Sequence, residues 1–260
     1  MTALTSTAAA TTELTEAVRL AGVGKQFAKD RGAPVLDGID LVVGPGEFVC
    51  LLGASGCGKS TLLNLVAGLD QPTSGELTVP AGRAALMFQE SALFPWLTAG
   101  RNIELALRLA GVPRSGRRAE AERLLDLVRL SGAYNKRVHE LSGGMRQRVA
   151  LARALAQQAQ VLLMDEPFAA LDAITRDVLH EELTNLWQKT GFAVIFVTHN
   201  VREAVRLGQR VILLSSRPGR IVREWQVEID QPRRIEDQDV AELAKEITAE
   251  LHREISRHGH

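Results

Sequence analysis

The stretch Gly53-Ala54-Ser55-Gly56-Cys57-Gly58-Lys59-Ser60-Thr61 has the spacing G-x-x-x-x-G-K-[ST] of a phosphate-binding loop. Glycines there let the backbone curl with its N–H groups facing inward, where side chains would block the phosphates. A helix starting at the loop adds about half a positive charge aimed at the same point. Lys59 is placed to reach the outer phosphates of a nucleoside triphosphate, and the Ser60 hydroxyl to ligate Mg²⁺. A second chemical centre is Val161-Leu162-Leu163-Met164-Asp165-Glu166. Its apolar residues read as a buried parallel strand, with two acids at the carboxyl end, the edge where ligands sit in open α/β sheets. Adjacent carboxylates repel unless a cation or proton relieves them. Asp165 fits the Mg²⁺-side acid of a phosphate-loop ATPase, which leaves Glu166 to orient or deprotonate an attacking water.

Weaker signals surround these two. In Leu141-Ser142-Gly143-Gly144, a serine and two glycines open a helix, an anion-binding geometry that taken alone reads as an N-cap. Thr198-His199-Asn200 ends another apolar strand, where a histidine can hydrogen-bond a terminal phosphate or serve as a structural group. Phe27 reads as exposed; base stacking and ordinary strand packing are equally open to it. None of the six histidines forms a zinc pattern, since His180-Glu181-Glu182-Leu183-Thr184 lacks the second histidine of H-E-x-x-H.

The elements that must position these residues follow from hydrophobic patterning. Phe48 to Leu52 reads as a buried strand feeding the loop, and Leu62, Leu63, Leu65 and Val66 line the helix behind it. Short strands are expected between Val18 and Val43, a turn over Gln71 to Glu76, then strands at Leu77-Thr78-Val79 and Leu86-Met87-Phe88, the last delivering Gln89. Helical periodicity runs from about Thr98 to Leu130, broken at Gly111 to Gly116. A helix at about Arg176 to Lys189 leads to the strand Ala193 to Val197, and Arg210 to Leu214 reads as one more strand. Leu93-Phe94-Pro95-Trp96-Leu97 puts bulky apolar residues on a loop, as a docking patch or as a satellite cluster folded on the domain itself. The last thirty residues predict a charged amphipathic helix that packs on the body or on a partner.

Composition narrows the function classes. Lys plus Arg and Asp plus Glu both number 31 in 260 residues, so no net basic field exists to hold nucleic acid. The two cysteines, Cys50 and Cys57, make no disulfide framework and suit a reducing compartment. Residues 1–15 read as a disordered tail rather than a signal peptide, and no apolar run reaches the roughly twenty residues that span a bilayer.

In their order, these motifs resemble the ATP-binding subunits of ABC transporters across about residues 18–227. That resemblance implies an α/β fold, a P-loop NTPase of the ABC type, with an antiparallel β subdomain and an inserted helical subdomain at about 97–147. The ATPase domain would span 16–230 and a helical extension 231–260. Phe27 corresponds to the family's base-stacking aromatic, residues 53–61 to Walker A, and Gln89 to the Q-loop glutamine that senses Mg²⁺ and the membrane partner. Ser142, Gly143 and Gly144 correspond to the signature, Asp165 to the Walker B aspartate, Glu166 to the catalytic glutamate, Asp172 to the D-loop aspartate and His199 to the switch histidine. Met145 departs from the glutamine of the commonest signature, which implies altered sugar contacts rather than lost activity. The implied cofactors are ATP and Mg²⁺, the latter held by Ser60, Gln89 and Asp165. Lys59, Gln89, Glu166 and His199 would act in hydrolysis, and the signature would close the site from a second copy in a head-to-tail homodimer. Segments 87–96, 165–176 and 214–221 look like the importer branch for nitrate, sulfonates, taurine and bicarbonate. An importer implies a membrane permease docked near Leu93 to Trp96, a solute-binding protein acting indirectly, and a place on the cytoplasmic face of the inner membrane. The alternatives are an exporter ATPase, a non-transport ABC machine and a soluble phosphate-loop kinase.

Overall fold

The computed structural model describes residues 15–27, 33–80, 82, 84–169 and 171–258. The expected N-terminal tail, Thr15 apart, lies outside the described residues. The antiparallel sheet comprises β1 (Val18–Lys25), β2 (Leu36–Val43) and β4 (Ser74–Thr78), with β1 in the centre. The larger sheet is built from β3 (Phe48–Leu52), β5 (Ala84–Met87), β6 (Val161–Asp165), β7 (Ala193–Val197), β8 (Arg210–Leu214) and β9 (Ile221–Gln226). Its order is β5-β6-β7-β3-β8-β9, parallel throughout except for the antiparallel edge strand β9.

The unbroken apolar runs of the parallel strands are explained by cover on both faces. Along β3, Phe48, Cys50 and Leu52 enter one core while Val49 and Leu51 enter the other. On β7, Val194 and Phe196 likewise oppose Ile195 and Val197. One core lies against the antiparallel sheet and α1 (Lys59–Val66). The other lies against α2 (Ala99–Leu109), α3 (Arg114–Leu127), α4 (Gly143–Leu155), α5 (Ala173–Thr190) and α6 (Val201–Leu207). Its aromatic centre is Phe48, which meets Trp187 edge-on at 5.6 Å and Phe196 at 5.9 Å.

Several boundaries differ from those read off the sequence. The expected break at Gly111 to Gly116 is shorter, because Pro113 sits just ahead of α3, where a missing N–H costs nothing. The fifth helix starts ahead of Arg176 because the Asp172 carboxylate caps it, accepting the Thr175 N–H at 3.0 Å. Part of the expected turn is strand: β4 begins at Ser74, and Gly75 lies so close to β1 that a Cβ would stand 2.3 Å from the Gly22 carbonyl oxygen.

The C-terminal helix, α7 (Gln238–His258), packs on its own body. Its buried stripe of Val240, Ala244 and Ile247 joins the helical-side core. Glu246 accepts from Trp225 Nε1 at 2.9 Å and from Arg223 at 2.7 Å. The segment leading to α7 is held by buried Arg233, which donates to the carbonyls of Val205, Gly208, Val227 and Ile229. No described helix is long and apolar enough to cross a membrane.

Candidate nucleotide site

Four neighbouring strands of the parallel sheet, β5-β6-β7-β3, deliver the chemical residues in a row. Met87 pairs with Met164, Asp165 with Val197, and Val197 with Leu51, so the strands end level. Asp165 ends β6, and just past the strand ends stand Gln89, Glu166, His199 and the loop that opens at Gly53. Together with Val35 and the glycines of the loop they enclose a cavity of about 410 Å³. This is the carboxyl edge at which an open α/β sheet presents ligands.

The loop carries the conformations a phosphate cradle needs. Gly58 has φ 105 and precedes the first helical residue; a Cβ there would lie 2.6 Å from Leu36 Cδ2, so both strain and space require glycine. Buried Lys59 donates from Nζ to the Gly53 carbonyl at 2.8 Å and to the Ala54 carbonyl at 2.9 Å. Its ammonium is thereby fixed inside the loop, beside the N-terminus of α1. These glycines, the ammonium and the helix end suit a polyphosphate. Burial pushes the Cys57 thiol up, so this residue is an inert small group in the loop wall.

On the facing side, burial raises the pKa of Asp165, and the charge of Glu166 adds to the effect, while a hydrogen bond from Ser60 and the charge of Lys59 oppose it. Glu166 takes a left-handed backbone, φ 44, with its N–H on the Val197 carbonyl at 3.0 Å. That turn aims its carboxylate at the end of β7, where Oε2 lies 2.9 Å from His199 Nδ1. The imidazole is two-thirds exposed and the carboxylate about one-fifth, so the pair stands at the cavity mouth.

A chain with this sheet order and cavity invites comparison with proteins of known structure and sequence. The family model described as ABC transporter matches residues 36–169. The chain belongs to that family. It is 49% identical over 204 residues to the taurine import ATP-binding protein TauB of Burkholderia pseudomallei, covering 75% of this chain and 78% of TauB. It is 46% identical over 220 residues to the nitrate import ATP-binding protein NrtD of a Synechocystis strain, covering 82% of this chain and 83% of NrtD. The dimeric post-hydrolysis structure of the ATP-binding cassette MJ0796, bound to ADP and Pi, superposes with TM-score 0.74 at 33% identity. It covers 82% of this chain and 100% of that one. As an ABC-type ATPase, the chain binds ATP and hydrolyses it to drive transport.

Ser142, Gly143 and Gly144, expected to form the signature, are not among the residues that enclose the cavity. Ser142 and Gly143 are exposed at the start of α4, where the Ser142 hydroxyl oxygen accepts the Met145 N–H at 3.2 Å. Gly144 faces the start of α5, where a Cβ would approach Leu171 Cδ2, just ahead of the helix, at 3.3 Å and Thr175 Cγ2 at 3.7 Å. Asp172 likewise stands outside the cavity as the α5 cap, and Phe27 lies beyond the end of β1, half exposed beneath Lys25 Nζ at 4.9 Å. Within one chain, therefore, the exposed start of α4 lies outside the cavity that the phosphate loop lines.

The loop after β5 is tied to α4. Buried Gln147 donates to the Gln89 carbonyl at 3.0 Å, while Arg153 donates to the carbonyls of Ala92 and Ser91 at 2.7 and 3.1 Å. Beyond this tether the apolar loop divides. Leu93 packs on the core, Phe94 and Trp96 pair with ring centroids 5.4 Å apart, and Trp96 is 69% exposed. A larger cleft of about 560 Å³ lies at the opposite, amino edge of the sheet, bordered by Gly46, Gln160 and Phe192. It has none of the converging phosphate-binding groups, so size does not identify the site.

Val35 was not expected at the cavity; its place at the head of a partly alternating segment, 35–43, gave it the look of a strand residue. Asp165 yields a stability prediction. Its folded-state pKa is raised, so above its unfolded pKa the ionised carboxylate opposes folding, and this penalty disappears as pH falls. Asp165→Asn is expected to raise the Tm of the nucleotide-free protein at pH 7, a gain that shrinks toward pH 4; differential scanning calorimetry would record a fall in Tm if the carboxylate instead stabilised the fold.

Proposed function

We propose that this ATPase energises import of a small anion, of the nitrate, sulfonate or taurine kind, through a membrane permease. Each ATP would be held between two copies. The observation that carries the composite site is the separation just described: the cavity holds every hydrolytic candidate, while Ser142 and its helix end face outward elsewhere. The family relatives whose names specify taurine and nitrate import support the importer reading.

In each site one copy contributes Lys59, the loop N–H groups and the α1 end to the phosphates, Glu166 to water and His199 to the terminal phosphate. The other contributes Ser142, Gly143 and Gly144. Phe27 stacks on the base, and Asp172 holds its helix at the edge of the interface. Mg²⁺ fits Ser60, Asp165 and Gln89, a donor set with one carboxylate that substrate phosphates complete, and when bound it neutralises phosphate charge. Among the described residues no cluster of His, Cys, Asp and Glu would hold a metal without phosphates. Lys59 and the N–H groups meet charge that grows on the transferred phosphoryl, in a site whose donors are already oriented. The Glu166 carboxylate, aimed by His199, accepts a hydrogen bond from water and sets it in line. Loss of the terminal phosphate removes the contacts between copies, and the dimer opens.

The helical segment at about 97–147, with the tethered loop before it, forms the permease-facing part. Phe88, Phe94 and Trp96 leave an apolar patch exposed beside Gln89, so closure at the phosphates is passed through Gln147 and Arg153 to this loop. The subunit would sit on the cytoplasmic face of the inner membrane, with a solute-binding protein engaging the far side. In proteoliposomes containing the permease, Trp96→Ala is expected to abolish ATP-driven uptake while basal hydrolysis stays within about twofold, because a central aromatic anchor carries much of an interface's free energy. Undiminished uptake would reject the docking patch.

A further inference from the structure

Behind Glu166 and His199 lies a buried polar chain that hydrolysis as described does not use. Glu203 on α6 is 6% exposed and His180 on α5 is 1% exposed. His180 Nε2 stands 2.6 Å from Glu203 Oε1, while Arg206 Nη1 approaches His180 Nδ1 at 3.4 Å. A guanidinium can only donate, so Nδ1 is the acceptor and the Nε2–H donates to the carboxylate. The second oxygen of Glu203 accepts the Thr198 hydroxyl, whose own oxygen accepts the Asn200 N–H at 3.0 Å. Asn200 Oδ1 in turn accepts the N–H of Glu203 at 3.3 Å.

Both residues that flank His199 in sequence are thus bound, directly or through one hydroxyl, to a single buried carboxylate. The Thr198 N–H also donates to the Leu51 carbonyl at 3.2 Å, anchoring the turn to the strand that feeds the phosphate loop. The other half of the mouth rests on the same pair. Phe168, two residues after Glu166, packs edge-on against His180 at 5.3 Å. Glu203 and Thr198 border, together with Glu166 and His199, a small void of about 30 Å³. A buried carboxylate carries a desolvation cost that an apolar side chain would avoid, so its contribution is placement of the turn rather than net stability.

We propose that Glu203, oriented by His180, is a positioning residue for His199. By fixing Thr198 and Asn200 on either side, it sets the backbone from which the imidazole reaches Glu166 and the terminal phosphate. This rests on the role given to His199 above.

The test compares Glu203→Ala, Thr198→Val and Thr198→Ser in the full chain, reading kcat, KM for ATP and the ¹H–¹⁵N imidazole signals of His199. Thr198→Ser keeps the hydroxyl and is expected to match the parent within about twofold. Thr198→Val and Glu203→Ala are expected to lower kcat about ten- to a hundredfold through misplacement of the imidazole, with KM nearly unchanged and the His199 signals shifted or broadened. Parental kcat in both variants would overturn the proposal, and so would kcat and KM worsening together while the His199 signals stay parental. Should Glu203→Ala not fold, the valine and serine pair decides. Undiminished hydrolysis by His199→Ala would overturn the role of His199 itself, and the imidazole signals then decide the positioning alone.

Discussion

Glu166→Gln is expected to bind ATP as the parent does and to turn over about 10²–10⁴-fold more slowly, the range for loss of a general base. Glutamine keeps the size of the side chain and can still meet His199, so the left-handed turn at position 166 and the cavity wall persist. What it loses is a charged oxygen able to accept a proton from water. With hydrolysis blocked, the step that separates the copies does not occur, and an ATP-bound dimer accumulates. Light scattering would then register a doubled mass with ATP and the monomer mass with ADP. Parental turnover would remove Glu166 from the chemistry, and slow turnover without a dimer would separate hydrolysis from association.

Lys59→Ala is expected to abolish measurable hydrolysis, with a loss of about 10²–10³-fold or more, comparable to removing one preorganised donor. The alanine deletes the ammonium and also unties the loop, since the same Nζ holds the carbonyls of Gly53 and Ala54. Ser142→Arg is expected to be inactive for a different reason: the cap at the start of α4 is lost and a bulky cation blocks the exposed helix end. Mixing the two inactive proteins is the informative step. A mixed dimer joins the intact Lys59 of one copy to the intact Ser142 of the other, so hydrolysis returns in a head-to-tail pair, to roughly a quarter of parental by random pairing. If each chain hydrolysed ATP within itself, the mixture would stay inactive.

The phosphate loop and the acidic strand end were legible in sequence because each is a local pattern whose chemistry lies within a few residues. The doubly covered strands were legible too, since cover on both faces leaves an unbroken apolar run. The tie between Glu203 and His180 was not. Its partners are 23 residues apart on two helices and neither belongs to a spaced motif. Sequence neighbours only ruled His180 out as a zinc ligand, for want of a second histidine, whereas its partner is supplied by packing. Helix ends shifted where a single residue decided them, Pro113 for α3 and the Asp172 cap for α5. The packing of α7 on its own body draws on α6 and on Trp225 and Arg223 from β9, a strand that the pattern of alternation did not mark.

The separation of Ser142 from the phosphate loop within one chain is the feature on which the rest turns. A structure of the Glu166→Gln protein with ATP and Mg²⁺ measures it directly. The expected result is a dimer in which Ser142 Oγ and the Gly144 N–H of one copy lie at hydrogen-bond distance, about 3 Å, from the γ-phosphate held by Lys59 of the other. A nucleotide-bound structure in which Ser142 stays remote from every γ-phosphate would contradict it.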